Sequence, residues 1–171
     1  MSSTRSKLIS AILAGVSPTT VQFLIDQEGW INRVYLDAVG LPTVCVGVMD
    51  KHLTVGRNYS DDECVALTAK QLHMFVTAID GAVTVPINDD MRTALVSLVY
   101  NIGIGNFQKS TLLKKLNASD YVGAGNEFTK WVYGGQGSKK RVIKGLLDRR
   151  LREQSLFRVG IQKLNNIPKS H

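Results

Sequence analysis

Between Ser17 and Val48 the chain changes its periodicity once, and that change limits the folds open to it. Ser17-Pro18 sets a hydroxyl at an N-cap and a proline at the first helical position, which together start a helix. Val21, Leu24 and Ile25 then recur at helical spacing, and Glu28-Gly29 puts a glycine in the usual stop position. From Val34 to Val48 β-branched and aromatic residues take over, interrupted at Asp37-Ala38-Val39-Gly40, as in a hairpin or small twisted sheet. The rest of the chain reads as helical. A helix that feeds a short sheet and is followed only by helices makes the fold α+β and mainly helical.

Ser60-Asp61-Asp62-Glu63 is a capping box, a serine with a glutamate three residues on. It opens a helix with Val65, Ala69, Leu72, Val76 and Ile79 on one face, ending at Asp80-Gly81. Twenty helical residues span about 30 Å, the breadth of a small domain. This helix (about 60–81) is therefore expected to join a small β-containing lobe (about 17–59) to a helical lobe (about 82–160). Residues 1–16 form an N-terminal extension, and the 171 residues make one domain. In the helical part, Asn88 or Asp89 caps a helix that turns Met91, Leu95, Leu98 and Ile102 inward and stops at Gly103. Because Ala94, Val96 and Val99 make it apolar nearly all round, it is expected at the core. Ser110 caps a short helix through Leu116 and Ser119 another through Val132. Gly134 to Ser138 reads as a flexible loop, and a basic helix runs from about Gly145 to Val159.

A domain of this size buries about 70% of the surface of its unfolded chain, so its stability requires neither disulfide nor metal. Cys45 in a strand-like run and Cys64 on a helix are read as two buried free thiols, the alternative being one disulfide in a protein that works outside the cytoplasm. No metal or cofactor is expected. The net charge is +7, and it is uneven: from Lys109 to Arg158 twelve Lys or Arg stand against four acids. Such a half favours polyanions, or is simply a well-solvated basic face. At the N-terminus, Arg5 and Lys7 precede the apolar run Leu8 to Val16, far short of the ~20 residues that span a bilayer. A cytoplasmic, uncleaved helix is the preferred reading, ahead of an export or anchor segment.

The chemistry concentrates at the helix-to-sheet change. Glu28 and Asp37 are nine residues apart, and Thr43 lies six beyond. An acid and a carboxylate flanking a small gap are the usual equipment for cleaving a glycosidic bond. Glu28 ends a helix, where the dipole disfavours negative charge, and Trp30 nearby would exclude water; both raise a carboxyl pKa and suit a general acid. Asp37 in a polar turn is expected to stay ionised, and Thr43 would orient a water. Each has a plain alternative: a solvated helix-end Glu, an Asp bonded within its own turn, a threonine that is only a strand residue.

These residues carry a resemblance. Glu28-Gly29, Tyr35-Leu36-Asp37, Gly40, Pro42-Thr43 and Gly47 resemble the active-site segment of phage-type lysozymes, the glycoside hydrolase family 24 endolysins. Ala94-Leu95-Val96-Ser97, Tyr100-Asn101-Ile102-Gly103, Gly105, Phe107 and Ser110-Thr111-Leu112-Leu113 resemble a second signature of that family. Leu116-Asn117, Trp131, Gly145-Leu146, Arg149-Arg150 and Glu153 resemble a third. The resemblance implies a lysozyme-like fold and hydrolysis of the β-1,4 bond between N-acetylmuramic acid and N-acetylglucosamine in peptidoglycan, for host-cell lysis. It implies Glu28 as proton donor, Asp37 as base or charge stabiliser and Thr43 as the water-orienting hydroxyl. It makes Tyr100 and Ser110 cleft residues and Met49 a wall residue. It further implies a monomer without nucleic acid or stable membrane insertion, held in the host cytoplasm until holin-dependent release to the periplasm and wall. The chain departs from the pattern at Cys45, where relatives often have glycine, and at Val48, where many have histidine.

Two rival readings remain. A lytic transglycosylase acts on the same bond with an acid but no second carboxylate, which Asp37 and Thr43 argue against. A cationic module for nucleic acid or anionic envelope, with Arg141 to Arg158 as contact helix, fits the charge but lacks any specific readout pattern. A membrane-disrupting basic tail would combine the two classes.

Overall fold

The computed structural model of the chain describes residues 16–37, 40–134 and 141–166. The chain resolves into two compact units that divide between Val76 and Thr77.

The first unit opens with helix α1, Pro18–Glu28. The Ser17 hydroxyl accepts the Thr20 N–H at its start. At its end the Gly29 N–H donates to the Ile25 carbonyl at 2.8 Å, and Gly29 turns the chain at φ +76°, a conformation only glycine adopts cheaply. Strands β1 (Ile31–Leu36), β2 (Pro42–Cys45) and β3 (Val48–Met49) follow as one antiparallel sheet in the order β1-β2-β3. Tyr35 faces Thr43 across the first pair, and Thr43 faces Met49 across the second. Val44 likewise faces Val48. Successive side chains point to opposite faces, so one face carries Val34, Val44 and Val48 and the other Tyr35, Thr43 and Met49. The valine face packs with Cys45 and Cys64 into a buried cluster, flanked by Trp30, Leu53, Tyr59 and Leu67.

Helix α2, Asp61–Ala82, starts on the reciprocal bonds of the capping box. Ser60 donates its N–H to the Glu63 carboxylate at 2.8 Å, and Glu63 returns its N–H to the Ser60 hydroxyl at 3.2 Å. Its buried stripe is Cys64, Thr68, Leu72, Val76 and Ile79. The expected stripe began at Val65 and Ala69, which are only half-buried. The difference comes from Cys64, which is bonded to Cys45 with the Cα atoms 5.2 Å apart. The reading of two free thiols is thereby corrected, because neither pattern nor spacing told that the two cysteines meet.

In the second unit, helix α3 (Asp89–Ile102) is capped by Asn88, whose side chain accepts the Met91 N–H. Met91, Ala94, Leu95, Val96, Leu98 and Val99 are wholly buried, as expected of a core helix. It packs chiefly against the last helix, which also meets Tyr121–Glu127 and Phe128–Lys130 among the short segments between them. These are α4 (Ile104–Gln108), α5 (Thr111–Asn117), α6 (Tyr121–Glu127) with a 3-10 turn at Phe128–Lys130, and a two-stranded ribbon of β4 (Tyr133–Gly134) and β5 (Arg141–Val142). The last helix, α7, runs Lys144–Asn165, six residues beyond the end expected at Val159. Two further expectations shift. Asp120, not Ser119, caps α6 by accepting the Gly123 N–H, while Ser119 takes a left-handed φ of +61°. The stretch read as helical through Val132 ends at Lys130, and the ribbon β4–β5 follows where no strand was expected.

The N-terminal extension lies outside the described residues up to residue 15, as does the expected loop Gly134 to Ser138 from residue 135. Among the described residues no helix is long and apolar enough to cross a membrane.

Candidate active site

The first unit gathers Glu28, Asp37, Thr43 and Met49 around one sheet. Glu28 is the last residue of α1 and half-buried. Its carboxylate rests on the hairpin between β2 and β3: a Cβ built on Gly47 would lie 3.1 Å from Glu28 Oε2. That hairpin is tight, with Cys45 at φ +62° and Gly47 at φ +74° around the buried Val46.

Asp37 follows β1 directly and enters a turn. Its N–H donates to the Leu41 carbonyl and its own carbonyl accepts the Gly40 N–H, both at 3.0 Å. Its Oδ1 accepts the Leu41 N–H at 2.8 Å. Thr43 is 3% exposed and its hydroxyl donates to the same Leu41 carbonyl at 3.0 Å. One peptide unit, that of Leu41, thus ties Asp37 to Thr43. Met49, opposite Thr43, is 42% exposed and available as a wall.

Tyr35, part of the Tyr35-Leu36-Asp37 motif but given no role of its own by the sequence, belongs to the same alternation as Asp37. It lies directly across from Thr43, and burial, then the charge of Glu28, then that of Asp37 push its phenol above the ordinary range. The side chain therefore senses both carboxylates at once. A cross-strand partner can be identified only when register is known, so only the alternation with Asp37 was legible in the chain.

The other two expected contact residues belong to the second unit. Tyr100, on α3, is 4% exposed. Ser110 is 5% exposed, and its hydroxyl accepts the Leu113 N–H at 3.0 Å as the cap of α5. This unit also holds an ionic cluster around Glu153. Glu153 Oε1 accepts from the Ser97 hydroxyl at 2.6 Å, Arg149 Nε at 3.1 Å and Arg150 Nη2 at 2.9 Å. Arg150 Nε sits 2.7 Å from Glu153 Oε2, in a geometry that gives charge attraction rather than a hydrogen bond. Burial pushes the Glu153 carboxyl up, although Arg150, Ser97 and Arg149 all favour its ionised form. Elsewhere Lys115 and Lys130 converge on the buried Glu127 at 2.6 and 2.8 Å. Among the described residues, Lys115, Lys130, Arg149 and Arg150 of the basic half are thus engaged by the unit's own carboxylates.

The family described as phage lysozyme matches residues 25–153, a span that takes in all six expected site residues. The chain belongs to the phage lysozyme family. The SAR-endolysin of Escherichia phage Mu is 39% identical over 162 residues, covering 90% of this phage lysozyme and 92% of that relative. Among solved structures, the endolysin from Escherichia coli O157:H7 phage FAHEc1 has a TM-score of 0.77 at 28% identity, covering 85% of this chain and 94% of that one. The muramidase domain of SpmX from Asticaccaulis excentricus has a TM-score of 0.76 at 25% identity, covering 83% and 96%. The α+β, mainly helical lysozyme-like fold is that of the family. As a phage lysozyme the chain is a glycoside hydrolase that degrades peptidoglycan, and the transglycosylase alternative is not favoured.

Proposed function

We propose that Glu28 protonates the leaving oxygen of the β-1,4 bond between N-acetylmuramic acid and N-acetylglucosamine, with Asp37 as base or charge stabiliser and Thr43 orienting the water. The observation that carries this reading is that Tyr35, two residues before Asp37, faces Thr43 across the sheet while the Glu28 carboxylate lies against Gly47 in the hairpin that follows the strand of Thr43. Three residues of the right chemistry therefore share one neighbourhood, as general acid–base cleavage of an acetal needs. Leu41 holds two of them in register. Met49 is the wall beside Thr43, and Tyr100 and Ser110 are further sugar contacts by resemblance. Fragments of purified wall, weighed by mass spectrometry, test the reaction: hydrolysis leaves a reducing end, whereas an anhydro sugar lighter by one water would mean transglycosylation.

The protein is proposed to act as a monomer on the periplasmic side of the host, with holin-dependent release and no nucleic-acid partner. Two observations support the compartment. The phage Mu relative is named a SAR-endolysin and matches 90% of the chain, and Cys45 and Cys64 are bonded, which suits an oxidising environment.

A further inference from the structure

We infer that Gly47 is a positioning residue for the acid: its bare α-carbon is the seat of the Glu28 carboxylate. This rests on the reading of Glu28 as proton donor and deepens it. A Cβ at residue 47 would stand 3.1 Å from Glu28 Oε2 and 3.4 Å from both Cδ and Cγ, so the carboxylate end occupies the space that a side chain there would need. The contact to Oε2 is close enough that the carboxylate would have to give by a few tenths of an ångström. Gly47 also sits at φ +74°, so the hairpin itself selects the one residue that both turns the chain and leaves the space. The seat is firm. Val44 pairs with Val48 on either side of it, Val46 is buried, and Cys45 is bonded to Cys64 on α2. A side chain at 47 would displace the Glu28 carboxylate, and with it the proton donor.

Gly56 is a matched control. It has φ +86°, and a Cβ there would meet only Arg33 Nη2 at 3.7 Å. Asparagine tolerates left-handed φ better than other side chains, so it isolates the steric effect from backbone strain. Gly47→Asn, Gly56→Asn and Glu28→Gln are assayed together on purified wall, with circular dichroism to verify folding. The expected result for Gly47→Asn is kcat lowered at least about tenfold at unchanged KM, with a displaced limb in the pH–rate profile, since misplacement of a reacting group acts on rate rather than binding. Gly56→Asn should keep its kcat and profile. A folded Gly47→Asn with normal kcat and profile overturns the seat, and so does a Gly47→Asn that fails to fold beside a folded Gly56→Asn, which would make the glycine merely structural. Activity retained in Glu28→Gln would instead overturn the assignment of the acid.

Discussion

Cys45, the last residue of β2, is bonded to Cys64 in the first turn of α2, which staples the strand carrying Thr43 to the helix beneath the sheet. The bond closes a loop of 19 residues in sequence separation. Loop-closure entropy for that length is worth about 3 kcal/mol. Urea unfolding with and without reductant, and of the Cys45→Ala/Cys64→Ala variant, should show that loss, with the reduced and doubly substituted proteins alike. Equal midpoints for oxidised and reduced protein would show that the sulfurs are apart.

Glu28→Gln should lower wall cleavage by about 10²–10⁴-fold, the usual contribution of a positioned proton donor, with an unchanged circular dichroism spectrum. Asp37→Asn should also lose most of its activity. Its side-chain carbonyl can still accept the Leu41 N–H, so the turn should survive. Undiminished turnover in Asp37→Asn, with anhydro products, would overturn the hydrolytic roles assigned to the pair.

Thr43→Val keeps the shape of a buried strand residue and deletes only the hydroxyl. The Leu41 carbonyl retains the Asp37 N–H, so stability should fall by no more than about 1 kcal/mol. Activity should fall far more, and Thr43→Ser should restore it. Equal kcat values for Val and wild type would remove Thr43 from the reaction.

Glu127 predicts an acid-sensitive element. Burial works to raise its pKa, but hydrogen bonds from Lys115 and Lys130, together with their charges, outweigh it and hold the carboxyl below the ordinary range. A depressed folded pKa contributes stability above the ordinary glutamate value of about 4.3, which is lost as pH falls through the folded value. Glu127→Gln should therefore cost about 1–2 kcal/mol at neutral pH, the solvated lysines keeping it near the low end. The gap from wild type should close in denaturation series carried below that pH. A gap independent of pH would mean that the carboxylate is not engaged.

Arg150 has no exposed surface and is committed to Glu153 and Asn101. Arg150→Leu should destabilise by about 3–5 kcal/mol, because it strands a buried carboxylate with one partner fewer. Arg150→Leu/Glu153→Leu should cost less than the sum of the two single changes, although it also leaves Arg149 without its carboxylate. A double-mutant cycle on thermal unfolding measures the difference, and simple additivity would contradict the ionic cluster.

Much of the fold was legible because its signals are short-range. The start at Ser17-Pro18, the stop at Gly29, the box of Ser60 and Glu63 and the cap at Asn88 are hydrogen bonds within three or four residues, so residue type and spacing suffice to place them. Cap choice failed where two candidates adjoined, Ser119 against Asp120, since backbone conformation decides which side chain faces the amide. The site was legible in part. Glu28, Asp37 and Thr43 stood out by chemistry and spacing, but Tyr35 and Leu41 did not, because their roles come from register and from a peptide bond common to every residue.

By itself the sequence determined the order of helix, sheet and helices, the membership of the family, and which residue types could perform acid–base chemistry. Tertiary structure alone decided that Cys45 meets Cys64, that Glu28 lies on Gly47, and that Arg149 and Arg150 turn inward to Glu153 rather than outward to solvent. The physical reason is range: caps and periodicities are settled by neighbours along the chain, whereas these contacts join residues 19 apart, or choose between partner and water, and exist only once the chain has packed.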